Sequence, residues 1–178
     1  MLNKPDYLHN DSRINIVKKL ISPSTELLNE YLKEDAELWD ACYADDCEHV
    51  VGTVYIILQN YINSTINDFY PDERKLHPYY SNDKKIEHSN TTRIELIIAT
   101  ANFYKHRDLP SELRTETTKH FNNVEIKYKE VYGESFYHSL GSSSPVFQVL
   151  TKLTNNWNLN DLIDIVAEWR KHFIKDTK

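Results

Sequence analysis

At 178 residues and 21.0 kDa the chain has the length of one domain, enough to bury roughly 70% of the surface its unfolded form exposes without a disulfide staple. Hydrophobic residues at 40% and charged residues at 27% are globular values, and 3 Gly beside 6 Pro disfavour the tight turns of an all-β fold. A formal net charge of −6 weighs against direct nucleic-acid binding, which draws on Lys and Arg to neutralise phosphates, and suits a basic protein partner.

Residues 1–13 lack an apolar leader core, and no later run approaches the ~18 to 20 apolar residues that cross a bilayer. The expectation is a soluble, cytoplasmic chain without a membrane partner. Residues 1–22 read as an N-terminal arm in which only the patch Ile14 to Ile21 is apolar, and Ser22-Pro23-Ser24 punctuates it. Ser24 or Thr25 then caps a helix with Leu27, Leu28, Tyr31, Leu32, Leu38, Trp39, Cys42 and Tyr43 on its stripe. After Ala44-Asp45-Asp46 a second amphipathic pattern runs from Cys47 through Val51, Tyr55, Leu58 and Ile62 to Phe69. One bent helix and a helical hairpin both fit this pair.

Residues 70–89 contain two prolines and no apolar period, and connections this long in compact domains tend to be functional or mobile. This loop holds Tyr70, Tyr79 and Tyr80 beside Asp72, Glu73 and Asp83. Tyr offers large contact area at low entropic cost, so these six residues form the candidate partner-binding set. Thr92 and Glu95 then fit a capping box, opening a helix from Thr92 to Asp108 that is apolar almost all round. Such a helix belongs inside a bundle. On it Glu95, Asn102 and His106 stand at relative positions 0, 7 and 11, each within about 20° of Glu95's direction. Lys105 and Arg107 flank this polar seam, whose bland reading is a satisfied structural network with cations favoured at the helix end.

Asp108-Leu109-Pro110 ends that helix and starts the next, about 110–131, with Leu113, Phe121, Val124, Tyr128 and Val131 on a narrow stripe and Gly133 as terminator. Pro145 suits the first position of a short helix to Leu153, and a last helix from Asn158 or Asn160 buries Leu159, Leu162, Ile163, Val166, Trp169 and Phe173. No strand period and no internal boundary appears. The fold expected is all-α, a single-domain helical bundle of five to seven helices over residues 1–178.

Catalytic and metal readings are weaker. At Asn102-Phe103-Tyr104-Lys105-His106-Arg107 the chain resembles the polar turn of the higher-eukaryote and prokaryote nucleotide-binding (HEPN) helical domains. The resemblance implies a helical bundle, often dimeric, that in active members cuts RNA without metal using an Arg and a His four to six residues apart. Here Arg114 and His120 have that spacing but fall on the following helix. Under this alternative, His106 acts with Asn102, Lys105, Arg107 and Glu95 as a ribonuclease or nucleotide-binding centre. Cys42, Asp46 and His49 share a helical face, but no paired Cys-x2-Cys or His-Glu-x-x-His spacing supports a metal. No metal or cofactor is expected, and His9, His77, His88, His138 and His172 read as solvated. The favoured function is a non-catalytic helical binding protein that neutralises a basic partner. An immunity protein against a nuclease toxin in bacterial competition is the form that fits best. A homodimer through the Asn102 seam is a further expectation.

Overall fold

A computed structural model describes residues 11–33, 41–107, 113–128 and 144–176. Seven helices lie among them: α1 (Ser12–Lys33), α2 (Ala41–Phe69), α3 (His77–Tyr80), α4 (Arg93–Lys105), α5 (Thr115–Asn123), α6 (Pro145–Leu153) and α7 (Leu159–Asp176). The described residues contain no strand, and the one β-bridge joins Lys85 to Thr92. The all-α bundle is therefore as expected.

α4 is the interior rod. Thr92 caps it with both halves of a capping box: its hydroxyl accepts from the Glu95 N–H at 3.1 Å, and Glu95 Oε2 accepts from the Thr92 N–H at 2.8 Å. Ile94 to Ala101 and Phe103 are all buried, because α2, α5, α6, α7 and α3 each pack against α4. α1 lies outside this centre and crosses α2 and α7. Around α4 the largest fully buried side chains are Trp169, Tyr55, Phe103, Phe121 and Phe147. No helix is long and apolar enough to cross a membrane among the described residues.

Three boundaries depart from the sequence reading. α1 begins at Ser12, inside the expected 1–22 arm, because Asp11 caps it by accepting the Ile14 N–H at 3.1 Å. Pro23 then sits within the helix. A mid-helix proline costs about 3 kcal/mol, yet Val17 and Ile21 before it and Leu28 after it are buried on one face, and their burial outweighs it. Ala44 to Asp46 is continuous α2, where the sequence reading placed a break between two patterns. Leu38 and Trp39 lie outside the described residues.

α5 stops at Asn123, not near 131. Glu125 takes a left-handed φ of 58°, the Ile126 N–H reaches back to the Phe121 carbonyl at 2.9 Å, and the Glu125 N–H bonds the Asn122 carbonyl at 3.3 Å. That is a Schellman stop built on a residue other than Gly. Val124, Ile126 and Tyr128 beyond it remain buried, so the apolar stripe outlasts the helix. The extended Lys127 is held by Gln148 of α6, whose amide bonds its N–H and its C=O at 3.0 Å each. Val131 and Gly133 lie outside the described residues. α6 and α7 match expectation, with Pro145 in the first turn of α6 and Asn158 Oδ1 accepting the Asn160 N–H at 3.1 Å at the start of α7.

Candidate functional site

The capping box fixes Glu95 at the buried head of α4 with Oε2 turned to the backbone, and this leaves Oε1 3.4 Å from His77 Nε2. α5 packs on α4 and presents Glu116 and His120, four residues apart and hence on one helical face. His77 Nε2 lies 3.8 Å from Glu116 Oε2, and the His77 and His120 rings stack at 6.0 Å between centroids. His120 is buried; its Nδ1 is 3.2 Å from Thr91 Oγ1, which also accepts from the Asn123 amide at 3.1 Å. Burial holds the His120 pKa below the ordinary histidine value, with the Glu95 carboxylate opposing that shift. Two imidazoles and two carboxylates thus converge where α3, α4 and α5 meet.

The expected seam does not act as one group. Glu95 and His106 stand eleven residues apart, about 16 Å of helix rise, and Glu95 belongs to the His77–His120 cluster. Asn102 Oδ1 accepts from Gln59 Nε2 at 3.0 Å, while Lys105 Nζ donates to Gln59 Oε1 at 2.7 Å. The lysine pKa is lowered by burial and by Arg114. Arg107 turns to α2, with Nη2 3.0 Å from His49 Nε2, Nη1 3.8 Å from Glu48 and its guanidinium 5.2 Å above the Tyr104 ring. A guanidinium only donates, so His49 Nε2 accepts and Nδ1 carries the proton toward Tyr104 Oη at 2.8 Å. His106 forms the C-cap of α4. These contacts join α4 to α2, and they occupy His49, one member of the rejected Cys42, Asp46, His49 face.

The segment 70–89 is a strap tied to the bundle rather than a free loop. Tyr70 stacks on Tyr79 at 4.9 Å, and both meet Phe173. Trp169 Nε1 donates to the Tyr79 carbonyl at 3.1 Å, Thr92 Oγ1 to the Tyr80 carbonyl at 2.8 Å, and Tyr80 Oη to Asn63 at 2.7 Å. Asp83, its side chain 0% exposed, receives Arg93 through Nε at 3.1 Å and Nη2 at 2.7 Å, and Glu168 joins Arg93 at 3.0 Å and Lys84 at 2.6 Å. Of the six expected partner-binding residues, Asp72 and Glu73 stay exposed, Tyr70, Tyr79 and Tyr80 are half-buried, and Asp83 is spent inside the fold.

Among the described residues, a different surface carries the largest exposed apolar groups. Ile16 (58% exposed), Leu20 (55%) and Leu27 (36%) lie on α1 within about 40° of one direction, beside the face that buries Val17, Ile21 and Leu28. Sequence reasoning saw Ile16 and Leu20 only within the patch Ile14 to Ile21, because it placed no helix there. It put Leu27 on the stripe of the next expected helix, whereas Leu27 is exposed. It missed the His77, Glu116, His120 convergence for another reason: Glu116 and His120 have a local i,i+4 signal, whereas His77 is delivered by a strap without periodicity. His88 and His172 are exposed as expected, and His9 and His138 lie outside the described residues. Comparison with known proteins finds no family model, no curated protein and no solved structure that matches this chain.

Proposed function

We propose that the chain is a non-catalytic helical binding protein that neutralises a basic protein, of the kind an immunity protein masks on a nuclease toxin. The observation that carries this reading is the exposed stripe Ile16, Leu20 and Leu27, an apolar row on an otherwise polar face of α1. Glu26 and Glu30 are exposed on the same helix, and the sequence after it supplies Glu34, Asp35, Glu37 and Asp40 without a cation between them. Lys18 and Lys19 are exposed beside Ile16 and Leu20, so the carboxylates on α1 lie at the Leu27 end. An apolar anchor in a chain of net charge −6 suits a cationic surface that otherwise receives phosphate. Arg13 pairs with Asp68 at the end of α2, so the strap bearing Asp72 and Glu73 begins close to the start of α1. The non-catalytic half of the reading draws on Asn102, Lys105, Arg107 and Glu95, each of which is engaged in holding one helix to another.

The test is co-expression with the product of the adjacent gene, which this reading expects to be a basic nuclease domain, followed by titration of the purified pair at rising salt. A one-to-one complex that weakens with salt and silences the nuclease is expected. Ile16→Asp, Leu20→Asp and Leu27→Asp together should weaken it by about 100-fold, the loss of a few kcal/mol at an anchor. An active nuclease in the presence of excess chain, or a complex indifferent to the triple substitution, would overturn the reading.

A further inference from the structure

Glu116 and His120 occupy successive turns of α5, His77 opens the turn α3, and the three side chains meet beside the head of α4. Glu116 Oε2 is 3.8 Å from His77 Nε2 and 3.9 Å from His120 Nε2, and the three donor atoms all lie within 4.8 Å of one another. We infer that His77, Glu116 and His120 bind a divalent transition-metal ion of the zinc class. Bonds of about 2.0–2.2 Å in a tetrahedral shell set donor atoms roughly 3.4 Å apart, so the trio has to close by about an ångström. The two side chains that must move can do so: His77 is 50% and Glu116 59% exposed, while the buried His120 serves as the fixed point.

The donor set selects the ion. Magnesium and calcium take shells of oxygen, whereas two imidazole nitrogens with one carboxylate form the open set of zinc sites, with the remaining position left to water. The surroundings orient His120 as a metal ligand requires. Thr91 Oγ1, 3.2 Å from His120 Nδ1, can accept the proton of that nitrogen, which leaves Nε2 a bare lone pair toward Glu116. Glu95, locked by the capping box, sets Oε1 3.4 Å from His77 Nε2 and brings a second negative charge to the ion. Lys119 lies 3.5 Å from Glu116 on the exposed side and has to yield as the cation enters. A bound ion ties the strap to α5 across the start of α4. This inference does not depend on the proposed partner.

The full chain, freed of metal by chelator, is titrated with Zn2+ alone against a chromophoric competitor, with Co2+ as a spectroscopic stand-in. One Zn2+ per chain at submicromolar affinity is expected, together with a rise in Tm and visible d–d bands from bound Co2+. His77→Ala and Glu116→Gln each weaken Zn2+ at least about tenfold. Both side chains are at least half exposed, so both variants should stay folded without metal, and each variant's own metal-free melting curve is the baseline for its shift. His120→Asn, which retains a polar group for Thr91, should lose Zn2+ as well. Failure to bind one equivalent, or binding that either exposed-site variant leaves unaltered, overturns the inference.

Discussion

Gln59 satisfies two partners at once, donating to Asn102 and accepting from Lys105 across the α2–α4 contact. Replacing it with Leu keeps the volume and strands both partners, so stability should fall by about 1–3 kcal/mol, measured by urea denaturation. Cys47 is a simpler case. Burial first and Asp46 second push its thiol up to about 11 from an ordinary 9.0. Thiolate, not thiol, attacks alkylating reagents, so in a Cys42→Ser background Cys47 should resist iodoacetamide at neutral pH until the chain is unfolded. The linkage has a definite sign. A thiol whose pKa is raised by folding contributes its stability fully below the unfolded value and loses it as pH climbs through the folded one. Tm should therefore decline between about pH 9 and 11 in the parent and less so in Cys47→Ala, itself offset by its cavity. Neither partnership is visible in a linear reading. Asn102 and Lys105 are legible as a polar seam, but Gln59 lies 43 residues before Asn102 on another helix.

Among elements, α2 and α4 approach closely at one point. A Cβ on the buried Gly52 would lie 2.3 to 2.5 Å from ring atoms of Tyr104, including Cγ, the least mobile of them. On a free helix Gly→Ala stabilises by about 1 kcal/mol. Here overpacking, about 1–3 kcal/mol, opposes it and prevails. Gly52→Ala should lower Tm, and adding Tyr104→Ala should make the alanine neutral or favourable in that background, a coupling that a double-mutant cycle reads directly. Elements whose signals are local were legible: the Thr92–Glu95 box, Pro145 at the head of α6, and the stripe of α7. Those decided by distant contacts were not. Pro23 reads as a stop in isolation and is overruled by Ile21 and Leu28 in the core. Gly133 attracts a helix end on propensity, whereas the chain turns at Glu125, a residue with no intrinsic liking for that conformation.

At the scale of the molecule, the strap decides how the outer helices are joined to the centre. Asp83 is buried against Arg93, and Arg93 reaches Glu168 on α7, so one guanidinium links the strap, α4 and α7. Asp83→Ala should cost toward the low end of roughly 3–5 kcal/mol, since Glu168 still accompanies the cation. Trypsin should then cut faster after Arg74, Lys75 or Lys84, a comparison read from timed digests of parent and variant. Composition foretold a helical fold, and charge foretold an acidic protein. It did not foretell where the acid lies: cations and carboxylates nearly balance across the described residues, and the surplus resides mainly in the run from Glu34 to Asp40. α4 has neighbours on every side and no face turned to solvent between Ile94 and Ala101. Its amide protons can therefore reach deuterated water only when the whole bundle opens. They should be the last to exchange, and their rate should report the global free energy of unfolding without any added denaturant.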